Sequence, residues 1–390
     1  MSPDKAARVQ VLGGPSPERL HRGCWRPLGM RLRWRAADRP LAQAAASVLA
    51  TVARGPPAGI DADLLLLRSR DADTAPGLGA FHTAPDGHAY REAAGMGAIL
   101  TASGSLSVAD LSGAKVVAWI SPSADLDSEA EALLAAPFWR LAAFRGLVAC
   151  HAAALRAPDG RALLLRGLGG AGKSTLALAA WKQGWPLISE EVAWLDSRSS
   201  AVHPAADRAQ PGEGGRGQAF PRALASDAPA GWSATLHPMG SWLVRGRPDS
   251  LHLDREAAAT TGIADLLPEG RHSLWPDAAA TRGRPKPRKV RIDLQPWPQR
   301  LCGAAPFGGL VFLCRDEPAL RGRWLRCGRE EALARWQATT IAGESSQAGS
   351  LVQAAAEAVA GEGAYLLGDD TPTELVDRLG EVAADRRRHT

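Results

Sequence analysis

Long apolar runs are missing from this chain of 390 residues. No stretch approaches the roughly 20 uninterrupted apolar residues that a membrane span needs, so no membrane-spanning helix is expected. The opening residues, MSPDKAARVQVLGGPSPERL, lack the apolar core of a secretory signal, and export is not expected either. Cysteine is scarce: Cys24, Cys150, Cys302, Cys314 and Cys327 make an odd number with no C-x-x-C pair. That argues against a disulfide framework or a cysteine zinc site, and for reduced thiols in a cytoplasmic protein. Tyrosine is rarer still, two against 13 tryptophans, and this bias points to genomic base composition more than to function. A large net charge is also absent, the balance being +5, too small by itself to argue for nucleic acid. The exception is RGRPKPRKVR, residues 282 to 291, with six Arg or Lys and no acid. Its proline spacing, and the strand-like KVRIDL that follows, favour an exposed or phosphate-facing loop beside a sheet over a nucleic-acid arm.

What is present is ordinary for a globular protein, with 45% apolar and 22% charged residues. No internal repeat is visible. Residues 1–127 read as an N-terminal β-rich α+β domain. The runs DLLLLRS, GAILTA and AKVVAWIS are separated by Gly, Pro and Asp, and a helix is expected near LAQAAASVLATVA. SEAEALLAAPFWRLAAFRGL, residues 128 to 147, predicts a helix capped by Asp127 or Ser128 that leads into a second domain, 128–390. There CHAAALR and RALLLRG flank APDG, a hairpin with Pro158, Asp159 and Gly160 in its turn. A helix, KSTLALAAWKQG, ends at Gly184, and WPLISEEVAWLD reads as the next strand. Residues 203–288 read as a loop-rich insertion. Beyond it lie a buried strand GLVFLC, a helix REEALARWQATT and a strand AYLLG. A final helix carries a capping box, with Thr371 as N-cap, Pro372 at the first position and Glu374 reaching back.

Two features carry chemistry. G-x-x-x-x-G-K-[ST] is matched by Gly167, Gly172, Lys173 and Ser174, with Gly169, Gly170 and Ala171 inside the loop and Thr175 after it. Glycines let consecutive backbone N–H groups face a phosphate, and the helix that begins there adds the positive end of its dipole. ATP and Mg²⁺ are therefore the expected cofactors, with Lys173 on the β- and γ-phosphates and the Ser174 hydroxyl on the metal. The second feature is the pair Glu190 and Glu191, one short helix further on. A strand reached through a single helix is expected beside the loop strand, by a right-handed crossover. On an ideal strand only one of the pair would look at the site, whereas a bend could present both. One carboxylate to hold Mg²⁺ and one to take a proton is what phosphoryl transfer to an alcohol requires. Asp316 and Glu317, past Arg315, are a competing acidic strand end. Asp369 and Asp370 precede a helix and read as structural. LSGAK, residues 111 to 115, is similar to the signature of transporter ATPases but precedes the glycine loop, which rules it out.

Over about residues 145 to 205 these features resemble the catalytic domain of HPr kinase/phosphorylase, bacterial serine kinases whose core is similar to that of phosphoenolpyruvate carboxykinase. The likeness extends more loosely to VHPAADR and to residues 309 to 337. It implies an α/β fold with a P-loop kinase core of that type. It implies Lys173 and Ser174 on nucleotide phosphates and Mg²⁺, Glu190 as general base, Glu191 near the metal (a metal set of Ser174 and Glu191), and His151 close to the phosphate site. Both family aspartates are glutamates here, and the glycine-rich segment that docks HPr is absent, which puts HPr itself in doubt as substrate. Shorter relatives phosphorylate a serine of ribosomally made peptides, so the resemblance implies a peptide or small-protein partner. Family members are often homo-oligomers, and the sequence itself shows no such interface. The leading expectation is a Ser/Thr kinase. A small-molecule kinase of the same fold and a non-catalytic nucleotide-binding regulator are the alternatives.

Overall fold

The computed structural model describes residues 20–25, 30–50, 61–68, 82–83, 89–93, 96–111, 113–126, 129, 131–144, 146–196, 242–246, 250–254, 272–274, 289–294, 297–340, 355–357, 359–361 and 363–388. The chain is a mixed α/β protein whose described strands form three sheets. Its first part runs β1 (His21–Trp25), β2 (Arg31–Ala36), α1 (Arg39–Ala50), β3 (Asp61–Arg68), β4 (His82–Thr83), β5 (Ala89–Ala93), β6 (Met96–Leu100), β7 (Leu106–Asp110) and β8 (Lys115–Ile120). These form one eight-stranded sheet in the order β1-β2-β3-β8-β7-β6-β5-β4. The apolar/polar alternation of β8 shows why: Val116, Ala118 and Ile120 are buried, and the residues between them are not. That buried face packs under α1, a π-helical turn at Glu131–Ala135 and the helix that continues it, α2 (Ala136–Phe144). The expected caps Asp127 and Ser128 lie outside the described residues.

The second part continues with β9 (Leu147–His151), β10 (Ala153–Arg156), β11 (Ala162–Arg166), α3 (Lys173–Lys182), β12 (Leu187–Ser189), β13 (Val192–Asp196) and β14 (Leu243–Arg245). A small sheet follows, β15 (Ser250–Asp254), β16 (His272–Leu274) and β17 (Lys289–Asp293), in the order β15-β17-β16. Then come β18 (Ala304–Leu313), β19 (Trp324–Cys327), α4 (Arg329–Ala338), β20 (Ala364–Leu367) and α5 (Pro372–Arg387). Nine of these strands form one sheet, β12-β10-β11-β18-β14-β13-β9, with β20 on β18 and β19 on β20. Helices α3 and α5 cover one face, and α4 with helical residues 355–357 and 359–361 covers the other. Gly184, at φ 94°, ends α3 as its sequence position predicts. The α5 capping box forms with Thr371 and Glu374 in their expected places.

Two expectations are corrected. CHAAALR is not one strand: at Ala152 the chain passes from β9, paired with β13, to β10, paired with β11. WPLISEEVAWLD breaks as well, into β12 and β13. The loop-rich insertion, read as loops and short elements, contains β14, β15 and β16, short strands of three to five residues. The rest of it, including VHPAADR and residues 282–288 of the basic run, lies outside the described residues. Among the described residues, no helix is long and apolar enough to cross a membrane.

Candidate functional site

The glycine loop leaves the sheet where β11 ends and closes where α3 begins. Gly170 and Gly172 have φ of 83° and 90°, left-handed values that strain any residue with a Cβ. Gly167 is needed for space: a Cβ there would lie 2.8 Å from that of Ala171 and 3.3 Å from the Leu313 carbonyl oxygen. The start of the loop therefore sits against the end of β18. Residues 168–170 form an exposed tip, with Ala171 and Gly172 half-buried behind it. The buried Lys173 folds its ammonium back over the loop, donating to the carbonyls of Gly167 at 2.9 Å and Leu168 at 3.2 Å. A phosphate in the loop would meet that ammonium, the loop N–H groups and the positive end of α3 together.

The acidic pair reaches the loop by a route the sequence does not suggest. The neighbour of β11 is β18, which runs parallel to it, and not the strand that follows α3. After α3 the chain pairs with the far side of β10, as β12, antiparallel. Glu190 and Glu191 then occupy a bend between β12 and β13. Ser189 Oγ donates to the Val192 carbonyl at 2.6 Å and the Ala152 N–H donates to the Glu191 carbonyl at 3.1 Å, so the bend is tied on both sides. It turns Glu190 inward, only 6% exposed, where its Oε1 accepts the Ser174 hydroxyl at 2.5 Å. Glu191 is exposed. The resemblance gives the metal to Ser174 and Glu191. The geometry puts Glu190 on Ser174 instead.

His151 ends β9 half-buried, opposite Val192 and next to the Ala152 N–H that holds the bend. It is thus beside the acidic turn. Thr175 lies half-buried in the first turn of α3. Of the competing acids, Glu317 accepts from Arg335 at 2.6 Å, and the helix-entry acid Asp369 accepts from Arg315 at 3.2 Å. Hydrogen bonding from Arg335 holds the Glu317 carboxyl below its usual range against the opposing effect of burial. Asp316 is exposed. Arg166 escapes sequence reading. It is wholly buried immediately before the loop, 4.0 Å from the Trp336 ring centre, and donates to the Thr339 hydroxyl at 3.2 Å. Its signal, an arginine ending an apolar strand, is visible in LLLRG but gives no partner.

No family model matches the chain, and no curated protein matches it. Among solved structures the chain is similar to the Hpr(Ser) kinase/phosphatase from Coxiella burnetii. The identity is 11%, with 62% of this chain and 91% of that chain covered and a TM-score of 0.26. The likeness is distant, and the reading of the site rests on its own geometry.

That geometry offers hard oxygens for Mg²⁺. A magnesium ion keeps most of its waters and takes one or two protein carboxylates or hydroxyls besides phosphate oxygens. The Ser174 hydroxyl and the Glu190 carboxylate fit that need. Among the described residues there is no cluster of three or more His, Cys, Asp or Glu that would form an all-protein cage.

Proposed function

We propose that the chain is an ATP- and Mg²⁺-dependent kinase that transfers the γ-phosphate to a serine or threonine hydroxyl of a peptide or small protein. The contact that carries the reading is Ser174 on Glu190 beside Lys173, because it joins a metal-suited oxygen pair to a phosphate-suited loop. The loop N–H groups and Lys173 bind and orient the phosphates. Ser174 and Glu190 hold Mg²⁺, which when bound neutralises charge on the phosphate oxygens. Glu191, exposed at the same bend, receives the proton of the incoming hydroxyl. These two roles reverse the order that the family resemblance implies. His151 supports the bend from β9. Catalysis of this kind rests on positioning and charge neutralisation, with little covalent work for the protein.

The test is incubation with labelled ATP and a library of serine- and threonine-containing peptides, read by mass spectrometry for phosphopeptide. Glu190→Gln should lower the rate by on the order of 100-fold and raise the Mg²⁺ concentration needed for half-maximal turnover. Glu191→Gln should lower it by about 100-fold or more with the Mg²⁺ dependence unchanged. Nucleotide binding should survive both changes. Full turnover by the Glu190 variant would refute the site. ATP consumption with metabolite pools but no phosphopeptide would make the protein a small-molecule kinase, and nucleotide binding without turnover with any partner would make it a regulator.

A further inference from the structure

We infer that Arg166 is a positioning residue for the phosphate loop and acts through the last turn of α4. The inference rests on the kinase reading, because the loop it positions is the one that reading assigns to the nucleotide phosphates. A guanidinium is costly to take out of water and stays charged when buried, so hydrogen bonds and ring contacts must replace the solvent. Arg166 ends β11 wholly buried. An apolar residue would suit a strand end that needed only packing.

The arginine reaches the end of a helix instead. Its Nη2 donates to the Trp336 carbonyl at 3.4 Å and its Nε to the Thr339 hydroxyl at 3.2 Å. The guanidinium carbon lies 4.0 Å from the centre of the Trp336 ring. Trp336 is in the last turn of α4 and Thr339 caps it, so the cation sits at the negative end of the helix dipole. The same turn holds the neighbouring strand. Arg335 donates to Cys314 Sγ at 3.2 Å and to Glu317 at 2.6 Å, both just beyond β18. Strands β11 and β18 are parallel neighbours, and their ends are thus tied to consecutive residues of one helix.

The phosphate loop starts between those two ends. Gly167 follows Arg166 in the chain, and a Cβ on it would lie 3.3 Å from the Leu313 carbonyl oxygen of β18. The Gly167 carbonyl also accepts the Lys173 ammonium at 2.9 Å. A slip of the β11 end against β18 would move the first residue of the loop and the cation meant for the phosphates together. Displacements of about 1 Å are enough to cost a site much of its function. The fork of Arg166 on α4 opposes that slip.

The test is the affinity of the full chain for ATP and for inorganic triphosphate, each with Mg²⁺, by calorimetry well below the melting temperature, where a loss of stability alone changes nothing. Arg166→Met should weaken both by on the order of 30-fold. Arg166→Lys, which keeps a cationic donor but loses the fork, should recover part of that loss. Thr339→Val, at the half-buried far end of the contact, should weaken triphosphate binding by about threefold in the wild-type background. It should change nothing further in Arg166→Met, because the two substitutions remove one link. Should Arg166→Met fail to fold, Arg166→Lys, Thr339→Val and their combination give the same cycle. Folded Arg166 variants that bind triphosphate as wild type does would overturn the inference and leave the kinase reading standing, and so would effects of Arg166 and Thr339 that simply add. A wild-type protein that binds neither ATP nor triphosphate would overturn the kinase reading and this inference with it.

Discussion

Arg335 is the busiest side chain on the outer face of α4, donating to both carboxylate oxygens of Glu317, at 2.6 and 3.1 Å, and to Glu331 at 2.9 Å. Because the folded protein holds the Glu317 carboxyl below its usual range, the pair stabilises the fold fully above the ordinary glutamate pKa. The contribution fades as pH falls through the lowered folded value. Glu317 is 42% exposed, and with solvent screening the pair is worth about 1 kcal/mol or less. Glu317→Gln should therefore cost that much in urea unfolding at neutral pH, and the gap to wild type should close as pH drops below the glutamate range. A gap that persists in acid would assign the effect to packing instead. Residues of this kind are only half legible in sequence. Lys173 and Ser174 announce themselves by their motif. Glu190 and Glu191 announce themselves as a pair, but which one turns inward depends on hydrogen bonds from Ser189 and Ala152 that no local pattern encodes.

At the scale of elements, the bend that presents Glu190 is held from outside by Gly246. A Cβ at that position would lie 2.0 Å from the Ile188 carbonyl oxygen and 2.6 Å from the Ser189 side chain. These are backbone and strand atoms of β12, which cannot yield as a flexible side chain can. Gly246→Ala should destabilise the protein by about 1–3 kcal/mol, as overpacking does, and should raise the Mg²⁺ concentration needed for half-maximal turnover by displacing Glu190. Gly303, whose carbonyl accepts the Gly246 N–H at 3.2 Å, is the control: nothing lies within 4 Å of its would-be Cβ. Gly303→Ala should leave unfolding and the Mg²⁺ requirement near wild type, and equal losses in both variants would remove the special place given to Gly246. The strand that ends just before Gly246, β14, was not legible because three residues are too few to show a period of two. The long elements were legible for other reasons: β18 carries a long buried apolar run, α3 opens at the glycine loop and stops at Gly184, and α5 opens on its capping box. The loop strand was legible too, but its neighbour was not. Which strand pairs with β11 is decided by β18, some 140 residues later in the chain, and no window around the glycine loop contains that information.

At the scale of the whole molecule, the two large sheets share a core. Leu147 and Ala149 of β9 and Trp194 of β13 belong to the second sheet, yet they pack into the core of the first. Trp194 meets Phe138 and Trp139 of α2 edge-on, at 6.1 and 6.0 Å between ring centres. The same β13 begins just after the acidic bend, so the first sheet and its helices back the wall on which Glu190 is mounted. A chain cut after residue 127, where sequence composition suggests a boundary, would keep α2 and lose the sheet that covers it. Leu133, Leu134, Phe138, Trp139 and Leu141 would lose that cover. At roughly 1.5–3 kcal/mol for each large apolar side chain, that loss is on the order of 10 kcal/mol. It is comparable to the whole of an ordinary protein's stability, about 5–15 kcal/mol. The truncated chain should aggregate or melt far below the full one, and the full chain should unfold in a single calorimetric transition. Truncation to residues 128–390 that left a soluble protein melting at the wild-type temperature, with nucleotide affinity intact, would mean that the shared core contributes nothing to the site.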